Sequence, residues 1–296
     1  MKDSRQLYIL PFDHRATFAT GLFGFKEPLN QVQHNKVKEA KKMIWQAFKS
    51  VWSKSKSKEA LGILVDEEFG SEILHAAKKL GAVTILTTEK SGQNVFDFEY
   101  GANFGAHILK FKPNYAKVLV RYNPVNKKDN LVQLKRLKKI NDFCKNRKIG
   151  FLFELLVPAS PAQLKKYKKS YDVKLRPALT MQAIKEIRAV GVKPNIWKLE
   201  AMYKASDWQK IIRLIGKNEK IIVLGRAGSK ELVSQWLKTA AKFREIIGFA
   251  VGRTIFFPPL EKFIAKKISK NKAIKQIADN FQYFIDLWRN CKFVKK

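Results

Sequence analysis

A lysine, Lys198, lies inside the short run NIWKLE (residues 195–200), most of which is typical of a buried strand. Burial of a charged amine is costly, so a lysine at this position suggests a chemical role. Glu154 lies in the same way inside the apolar run FLFELL (residues 151–156). A neutral lysine amine attacks a carbonyl to form a Schiff base, and a nearby carboxylate moves the protons of later steps. The pair therefore predicts class I aldolase chemistry, with Lys198 as nucleophile and Glu154 as general acid/base.

The alternation of side chains along a strand indicates which faces these residues occupy. Lys198 shares its face with Glu200, whereas Trp197 points to the other side. If the faces of Lys198 and Glu154 point inward, a lysine and a carboxylate enter one cavity from neighbouring strands. Lys117, in an earlier strand-like run, would then be the second cation that helps to keep a nearby amine neutral.

The same residues also have structural interpretations. A single strand lysine such as Lys198 is more often a snorkelling or ion-paired side chain, and Glu154 could be its partner. Asp13 and Asp66 could cap helices or brace loops, and His14 could belong to loop structure. These alternatives remain open at the level of the sequence.

Eight strand-like runs alternate with amphipathic helical stretches along the chain, such as residues 35–52. Two Ser-x-x-Gln spacings, beginning at Ser160 and Ser206, are typical of capping boxes at helix starts. The order predicts one (β/α)8 TIM barrel over residues 1–296, with a C-terminal helix at about 272–292; a doubly wound sheet is the alternative. The strand-like runs are residues 7–13, 61–66, 83–88, 117–122, 149–157, 195–200, 220–225 and 247–252.

Charged residues follow most of these runs, where a barrel places its active site. Loops after the last two strands of a barrel often bind phosphate, and here both contain a Gly-Arg pair. We therefore predict substrate or phosphate contacts at these positions, although the two arginines could instead pair with surface acids. The strand-end residues are Asp13, His14, Arg15, Asp66, Glu89, Lys90, Arg121, Gly225, Arg226, Gly252 and Arg253, of which Glu89, Lys90 and Arg121 are given no role.

Composition narrows the class of protein. No apolar run approaches the roughly 20 residues that cross a bilayer, and residues 1–13 lack the apolar stretch of a signal peptide. We therefore expect a soluble cytoplasmic protein with no membrane partner. The two cysteines, Cys144 and Cys291, are far apart and show no metal-ligand spacing, so neither a disulfide framework nor a metal site is predicted.

The formal charge of +34 suggests nucleic-acid binding at first sight. The lysines, however, are spread over nearly every helical stretch, and the one dense run is residues 49–58. No zinc-finger spacing, aromatic RNA-binding motif or glycine-rich phosphate loop is present. We interpret the charge as a solvated surface and keep nucleic acid as the least favoured partner.

Nine motifs in order resemble a known family across essentially the whole chain. The similarity is to the bacterial aldolase-like domain that is fused behind the carbohydrate kinase in some 5-dehydro-2-deoxygluconokinases of inositol catabolism. Wider relatives are the metal-independent tagatose-1,6-bisphosphate aldolases, which are (β/α)8 barrels. The motifs are LPFDHRATF, GILVDEEFG, TEKSGQNVFDFEYG, KVLVRYNP, FLFELLVPA, LRPALTMQAIKEI, IWKLE, IVLGR and GFAVGRTIF.

The resemblance implies residue roles. Lys198 matches the Schiff-base lysine, Glu154 the acid/base, Lys117 another active-site lysine and Asp13 a first-strand active-site aspartate. It also implies a sugar-phosphate substrate, no metal or other cofactor, a homo-oligomer as a candidate assembly and a separately encoded carbohydrate kinase as a candidate partner. Two positions depart from the tagatose-type pattern. His14 stands where glutamine is usual, and Ala227 stands where glycine is frequent.

Three functional hypotheses follow. The first is a class I aldolase acting on a phosphorylated ketose or a deoxy-keto sugar acid, in inositol or related carbohydrate catabolism. The second is a non-catalytic barrel that binds a sugar phosphate or a kinase, which predicts ligand binding without an imine on Lys198. The third is a basic nucleic-acid binder, which predicts salt-dependent affinity and no requirement for Lys198.

Overall fold

The computed structural model describes residues 6–292 and shows a closed barrel of eight parallel strands in sequential order. The predicted (β/α)8 fold is confirmed, and the doubly wound alternative is wrong because the last strand pairs with the first. The predicted domain, 1–296, extends at both ends beyond the described residues. The strands are Leu7–Pro11 (β1), Leu61–Val65 (β2), Val83–Thr87 (β3), Tyr115–Arg121 (β4), Gly150–Leu156 (β5), Ile196–Glu200 (β6), Lys220–Leu224 (β7) and Ile246–Ala250 (β8).

The helices lie outside the strands, and the last one covers Lys270–Lys292, close to the predicted range. Among residues 6–292, no helix combines the length and the apolar character needed to cross a membrane. The helices are Ala16–Phe23 (α1), Gln31–Lys54 (α2), Glu67–Leu80 (α3), Phe104–Phe111 (α4), Lys127–Asn146 (α5), Pro161–Tyr167 (α6), Tyr171–Lys174 (α7), Arg176–Ala189 (α8), Ala205–Ile212 (α9), Lys230–Ala240 (α10), Arg253–Ile264 (α11) and Lys270–Lys292 (α12).

One of the two predicted capping boxes is present. The hydroxyl of Ser160 accepts from the N–H of Gln163, whose side chain accepts from the N–H of Ser160, at the start of α6. The box predicted at Ser206 is wrong, because α9 begins one residue earlier and Ser206 lies inside its first turn. A Ser-x-x-Gln spacing alone therefore does not locate a helix start.

Two apolar layers hold the barrel. Large side chains on the outer face of the strands pack against the helices, and Trp197 on β6 belongs to this layer. A smaller cluster fills the barrel interior. Because both faces are buried, the strands read as nearly continuous apolar runs, which explains why eight were recognisable. The interior cluster consists of Leu7, Ile9, Leu64, Ile85, Leu152, Ile196, Ile222, Ile247 and Ala250.

Closure of the barrel depends on a close approach of β1 and β8. Leu7 lies opposite Gly248 in the parallel pairing of these strands. A Cβ atom at position 248 would lie only 1.8 Å from the backbone oxygen of Leu7. Glycine is therefore required at this position for steric reasons.

Strands β4, β5 and β6 are neighbours and bring the candidate catalytic residues together. Glu154 on β5 lies opposite Lys198 on β6, and Leu119 on β4 lies opposite Glu154. Lys117 is the third residue of β4, two residues later in the strand than its predicted position at the start. The inward faces expected from strand alternation therefore meet inside the barrel.

Candidate active site

Lys117 is bound by three acidic side chains. Its Nζ lies 2.8 Å from Oδ2 of Asp13 and 3.0 Å from Oε2 of Glu154, and it also donates to Oε1 of Glu89. Two of the three N–H donors of this ammonium are in hydrogen bonds, to Asp13 and Glu89, and Glu154 adds an ion pair. The residue is 1% exposed. Burial alone lowers the pKa of Lys117, but the charges of Asp13, Glu154 and Glu89 outweigh burial and raise this pKa well above its ordinary value.

Lys198 has a different environment although it lies beside Lys117. Its Nζ lies 2.9 Å from Oε2 of Glu154, the same oxygen that Lys117 contacts. Within residues 6–292, Glu154 is the only acid within ion-pair distance of Lys198. The residue is 4% exposed and lies among interior residues such as Ile196 and Ile222. Loss of one proton to Glu154 would free the amine lone pair, so Lys198 is better placed than Lys117 to act as a nucleophile.

Two of the acids beside the lysines, Glu154 and Asp13, are held in the ionised form. Burial would raise the pKa of Glu154, but the charges of Lys117 and Lys198 outweigh it and lower this pKa. The pKa of Asp13 is well below its ordinary value because the charges of Lys117 and Lys198 outweigh the effect of burial. Asp13 also accepts a hydrogen bond from the hydroxyl of Thr87 at 2.8 Å. Glu154 therefore begins as a proton acceptor within reach of Lys198.

Glu89 joins this cluster from the loop after β3. Its Oε1 accepts from Lys117, whereas its buried Oε2 has no hydrogen-bond partner among the described residues. Burial raises the pKa of Glu89. The sequence places this glutamate directly after a predicted strand but assigns it no function. Its position at a strand end was the available signal. The convergence of Asp13, Glu89 and Glu154 on Lys117 could not be recognised without the fold.

Arg15, predicted to contact substrate, braces the same loop. Its guanidinium donates to the backbone oxygen of Glu89 and to the carboxylate of Glu99. These contacts tie the end of β1 to the segment after β3, where Glu89 and Phe98 form an isolated antiparallel bridge. Arg15 is buried, so in this structure it positions Glu89 rather than presenting a free cation.

His14 and Arg253 lie at the same end of the barrel as the lysines. Nδ1 of His14 is 3.9 Å from Asp13 and has no hydrogen-bond partner among the described residues. Burial lowers the pKa of His14 to about 4, a shift that Asp13 opposes and Arg253 and Lys198 reinforce. Burial also lowers the pKa of Arg253, which begins α11. Among residues 6–292, Arg253 has no ion-pair partner, so its guanidinium is available to an anion.

Arg226 differs from Arg253 although both follow a glycine at a strand end. Its Nε lies 3.2 Å from Oε1 of Glu200, and its Nη1 lies 2.8 Å from Oδ1 of Asp172. The structure thus shows the acid-paired alternative for Arg226. Arg226 and Ala227 both have positive φ values, 47° and 54°, which are uncommon for residues with a Cβ atom. The loop after β7 is therefore tightly turned even though Ala227 replaces the expected glycine.

The two glycines of the Gly-Arg pairs pack closely. A Cβ atom at Gly252 would lie 2.4 Å from the backbone oxygen of Pro11, and one at Gly225 would lie 3.1 Å from Val251. Gly252 therefore allows the loop after β8 to approach the end of β1. This places the start of α11 beside the segment that carries Asp13 and His14.

Asp66 is the predicted substrate residue that the structure separates from the lysine cluster. Its Oδ2 is bound by the buried Lys41 of α2, and its Oδ1 accepts from the backbone N–H of Phe69 at 2.8 Å. The Lys41 ammonium also lies 4.9 Å from the ring centre of Phe69 and 5.6 Å from that of Phe18. Both carboxylate oxygens are occupied, so Asp66 caps α3 and anchors α2 to the barrel. This matches the helix-capping interpretation left open by the sequence.

The described residues contain no group of three or more His, Cys, Asp or Glu side chains arranged to hold a metal ion. Asp13, Glu89 and Glu154 do converge, but they converge on the Lys117 ammonium. Cys144 and Cys291 are both free thiols. The cluster holds two amines and three carboxyl groups in hydrogen-bond or ion-pair contact, which is an arrangement suited to proton transfer.

Solved structures share this fold at low sequence identity. A crystal structure from Corynebacterium glutamicum (Brevibacterium flavum) matches with a TM-score of 0.61 at 14% identity, covering 94% of this chain and 86% of that one. A Schiff base-forming fructose-1,6-bisphosphate aldolase matches with a TM-score of 0.61 at 9% identity, covering 96% of this chain and 94% of that one. At such identities the likeness establishes the barrel fold.

A comparison with curated protein sequences finds no significant match. A family model described as "Uncharacterized protein conserved in bacteria (DUF2090)" matches residues 1–292. The match spans the barrel and every residue of the lysine cluster. The chain therefore belongs to the DUF2090 family of bacterial proteins.

Proposed function

We propose that this protein is a class I aldolase that forms a Schiff base on Lys198. The observation that carries the proposal is the shared oxygen of Glu154, which lies 2.9 Å from Lys198 and 3.0 Å from Lys117. It couples a candidate nucleophile to a candidate proton acceptor, while Lys117 supplies a fixed positive charge. One structural relative is a Schiff base-forming aldolase, and the fold that it shares with this chain supports the proposal.

The chemistry can be written with these residues. Lys198 passes a proton to Glu154, and its neutral amine adds to the ketone carbon of the substrate to form a carbinolamine. Glu154 returns the proton to the carbinolamine hydroxyl, which leaves as water and produces an iminium ion. The ionised Glu154 then removes the proton from the substrate hydroxyl β to the iminium carbon. The carbon–carbon bond breaks, an aldehyde leaves, and the electron pair is held as an enamine on Lys198.

The proposed substrate is a phosphorylated ketose or a deoxy-keto sugar acid. Arg253, at the start of α11, has no acid partner among the described residues and is the arginine of the two Gly-Arg pairs best placed for an anionic group. We assign phosphate or carboxylate binding to Arg253 and to backbone N–H groups near Gly252. No metal or other cofactor takes part in the proposed reaction.

The biological setting is proposed from the sequence motifs. The resemblance to the domain fused to 5-dehydro-2-deoxygluconokinases, and more distantly to tagatose-1,6-bisphosphate aldolases, favours inositol or related carbohydrate catabolism in the cytoplasm. A separately encoded carbohydrate kinase and a second copy of this chain are the candidate partners. These assignments are tested by substrate panels and by the mass of the protein in solution.

Borohydride trapping tests the imine directly. The protein is incubated with dihydroxyacetone phosphate or with a panel of ketose phosphates, reduced, digested and examined by peptide mass spectrometry. We expect a stable adduct on the Lys198 peptide that is absent without substrate and absent from Lys198→Arg. Lys117 is an internal control, because an amine held by three carboxylates should remain unmodified. Binding without any adduct would instead support a non-catalytic sugar-phosphate-binding barrel.

A further inference from the structure

Glu89 is an unusual member of the lysine cluster because half of its carboxyl group has no partner. It is 8% exposed, and its Oε1 is bound by Lys117. Oε2 is buried and makes no hydrogen bond among the described residues. The nearby guanidinium of Arg15 donates to the backbone oxygen of Glu89 and to Glu99, not to the Glu89 carboxyl. An ionised carboxylate would leave a charged oxygen buried without compensation, which is costly.

The charges of the cluster lead to the same conclusion. Lys117 and Lys198 contribute two positive charges when protonated, and Asp13, Glu89 and Glu154 contribute three negative charges when ionised. Among these five groups in direct contact, the negative charges would then outnumber the positive charges by one. Transfer of a proton from Lys198 to Glu154 would leave this total charge unchanged. One carboxyl group that holds a proton removes the excess negative charge.

The hydrogen bonds indicate which carboxyl group holds that proton. Oδ2 of Asp13 accepts from both Lys117 and Thr87, and Oε2 of Glu154 faces both Lys117 and Lys198. Glu89 has one bound oxygen and one free oxygen, so it is the acid least stabilised in the ionised form. Burial raises the pKa of Glu89. At Asp13 and Glu154 the charges of the lysines outweigh burial and lower the pKa.

The remaining charged groups around Glu89 do not reverse this assignment. Arg15, on the loop after β1, donates to Glu99 and to backbone; its charge opposes the rise in the pKa of Glu89 but does not outweigh burial. His14 is neutral at pH 7, because burial holds its pKa at about 4. Arg253 acts on Asp13 and Glu154 from the start of α11. Lys117 on β4 is the one cation in hydrogen-bond contact with the Glu89 carboxyl among the described residues.

We infer that Glu89 is a neutral carboxylic acid at neutral pH and serves as a positioning residue for Lys117. Its Oε1 accepts a hydrogen bond from Lys117 without adding a negative charge to the cluster. Lys117, Lys198, Asp13 and Glu154 then form a balanced set of two cations and two anions. Transfer of a proton from Lys198 to Glu154 keeps that balance, whereas an ionised Glu89 would favour the protonated form of Lys198. This catalytic consequence rests on the proposed aldolase function; the protonation of Glu89 does not.

Infrared difference spectroscopy on the whole protein tests the protonation state. The carbonyl band of a protonated carboxyl group, identified by its shift in D₂O, is compared between wild type, Glu89→Gln and the matched control Glu99→Gln at pH 7. We expect a component that is present in wild type and in Glu99→Gln and is lost in Glu89→Gln. A spectrum in which Glu89→Gln retains every protonated-carboxyl component overturns the inference.

A second measurement needs no variant, which covers the case in which Glu89→Gln fails to fold. Exposed carboxyl groups have pKa values of about 4, so they are ionised above pH 6. We expect wild-type protein to retain a protonated-carboxyl band at pH 7, and its complete absence there overturns the inference. Neither readout depends on turnover. If the component that Glu89→Gln loses is present in wild type but no imine is trapped, the aldolase proposal fails and the assignment of Glu89 stands.

Discussion

The Nζ atoms of Lys117 and Lys198 both contact one carboxylate oxygen, Oε2 of Glu154, at distances of 3.0 Å and 2.9 Å. The two lysines are nevertheless not equivalent. Lys117 also binds Asp13 and Glu89, whereas Lys198 has Glu154 alone among the acids of the described residues. The difference assigns a fixed ammonium to one lysine and a transferable proton to the other.

Replacing Lys198 by arginine should abolish imine formation and turnover while the barrel stays folded. Arginine keeps the positive charge beside Glu154 but cannot form the imine. Borohydride trapping and turnover measure the loss, and circular dichroism measures the fold. Lys220→Arg is the matched control and should retain activity, because Lys220 is the first residue of β7 and lies at the end of the barrel opposite the active site. Turnover that survives in Lys198→Arg would sink the mechanism.

Replacing Glu154 by glutamine should slow the reaction by about 10²–10⁴-fold, the usual contribution of a general acid/base. Glutamine preserves the shape of the side chain and a hydrogen-bond acceptor for the lysines, but it cannot accept the proton of Lys198. Single-turnover kinetics separate this chemical step from substrate binding. An unchanged rate would reduce Glu154 to an ion-pair partner, as the structural alternative holds.

The two Gly-Arg pairs should contribute unequally to anion binding. Arg253→Ala should weaken binding of a phosphorylated ligand by about 10–100-fold, because a hydrogen bond to a charged group contributes roughly 1.5–3 kcal/mol. Arg226→Ala should have a smaller effect on affinity, since Arg226 is held by Glu200 and Asp172. Isothermal titration with phosphorylated and unphosphorylated ligands checks both variants. A larger loss in Arg226→Ala would reverse the assignment.

The Lys41–Asp66 pair should stabilise the fold rather than catalysis. Lys41→Met leaves a buried unpaired Asp66 and should cost about 3–5 kcal/mol of unfolding free energy. Lys41→Met combined with Asp66→Asn should recover much of this loss, because asparagine removes the charge and still caps α3. Urea denaturation measures both variants. Equal stability of Lys41→Met and wild type would show that the pair is not buried as described.

His14 should make stability depend on pH between about 6.5 and 4. Its folded-state pKa is about 4, below the ordinary value of 6.5, because burial disfavours the charged form. The contribution is therefore fully present above pH 6.5 and is lost as the pH falls through the folded-state pKa. The difference in unfolding free energy between wild type and His14→Gln should change over this interval. A constant difference would mean that His14 has the same pKa in the folded and unfolded states.

Local sequence patterns determined most of the architecture. Apolar runs separated by amphipathic helices predicted eight strands, because strands buried on both faces carry few polar residues. The same patterns made Lys198 and Glu154 conspicuous, since a charge in such a run contradicts its surroundings. Their inward direction followed from the alternation of side chains, and the pairing of β5 with β6 agrees with it.

The tertiary structure decided which charged strand-end residues belong together. Asp66 and Glu89 look alike in sequence, yet Asp66 turns to Lys41 on α2 and Glu89 turns to Lys117 inside the barrel. Arg226 and Arg253 both follow a glycine, yet Asp172 and Glu200 form ion pairs with Arg226 and not with Arg253. Each choice depends on the path of a loop and on a partner distant in sequence. Local patterns specify strands and faces, whereas the distances between charged groups are set when the barrel closes.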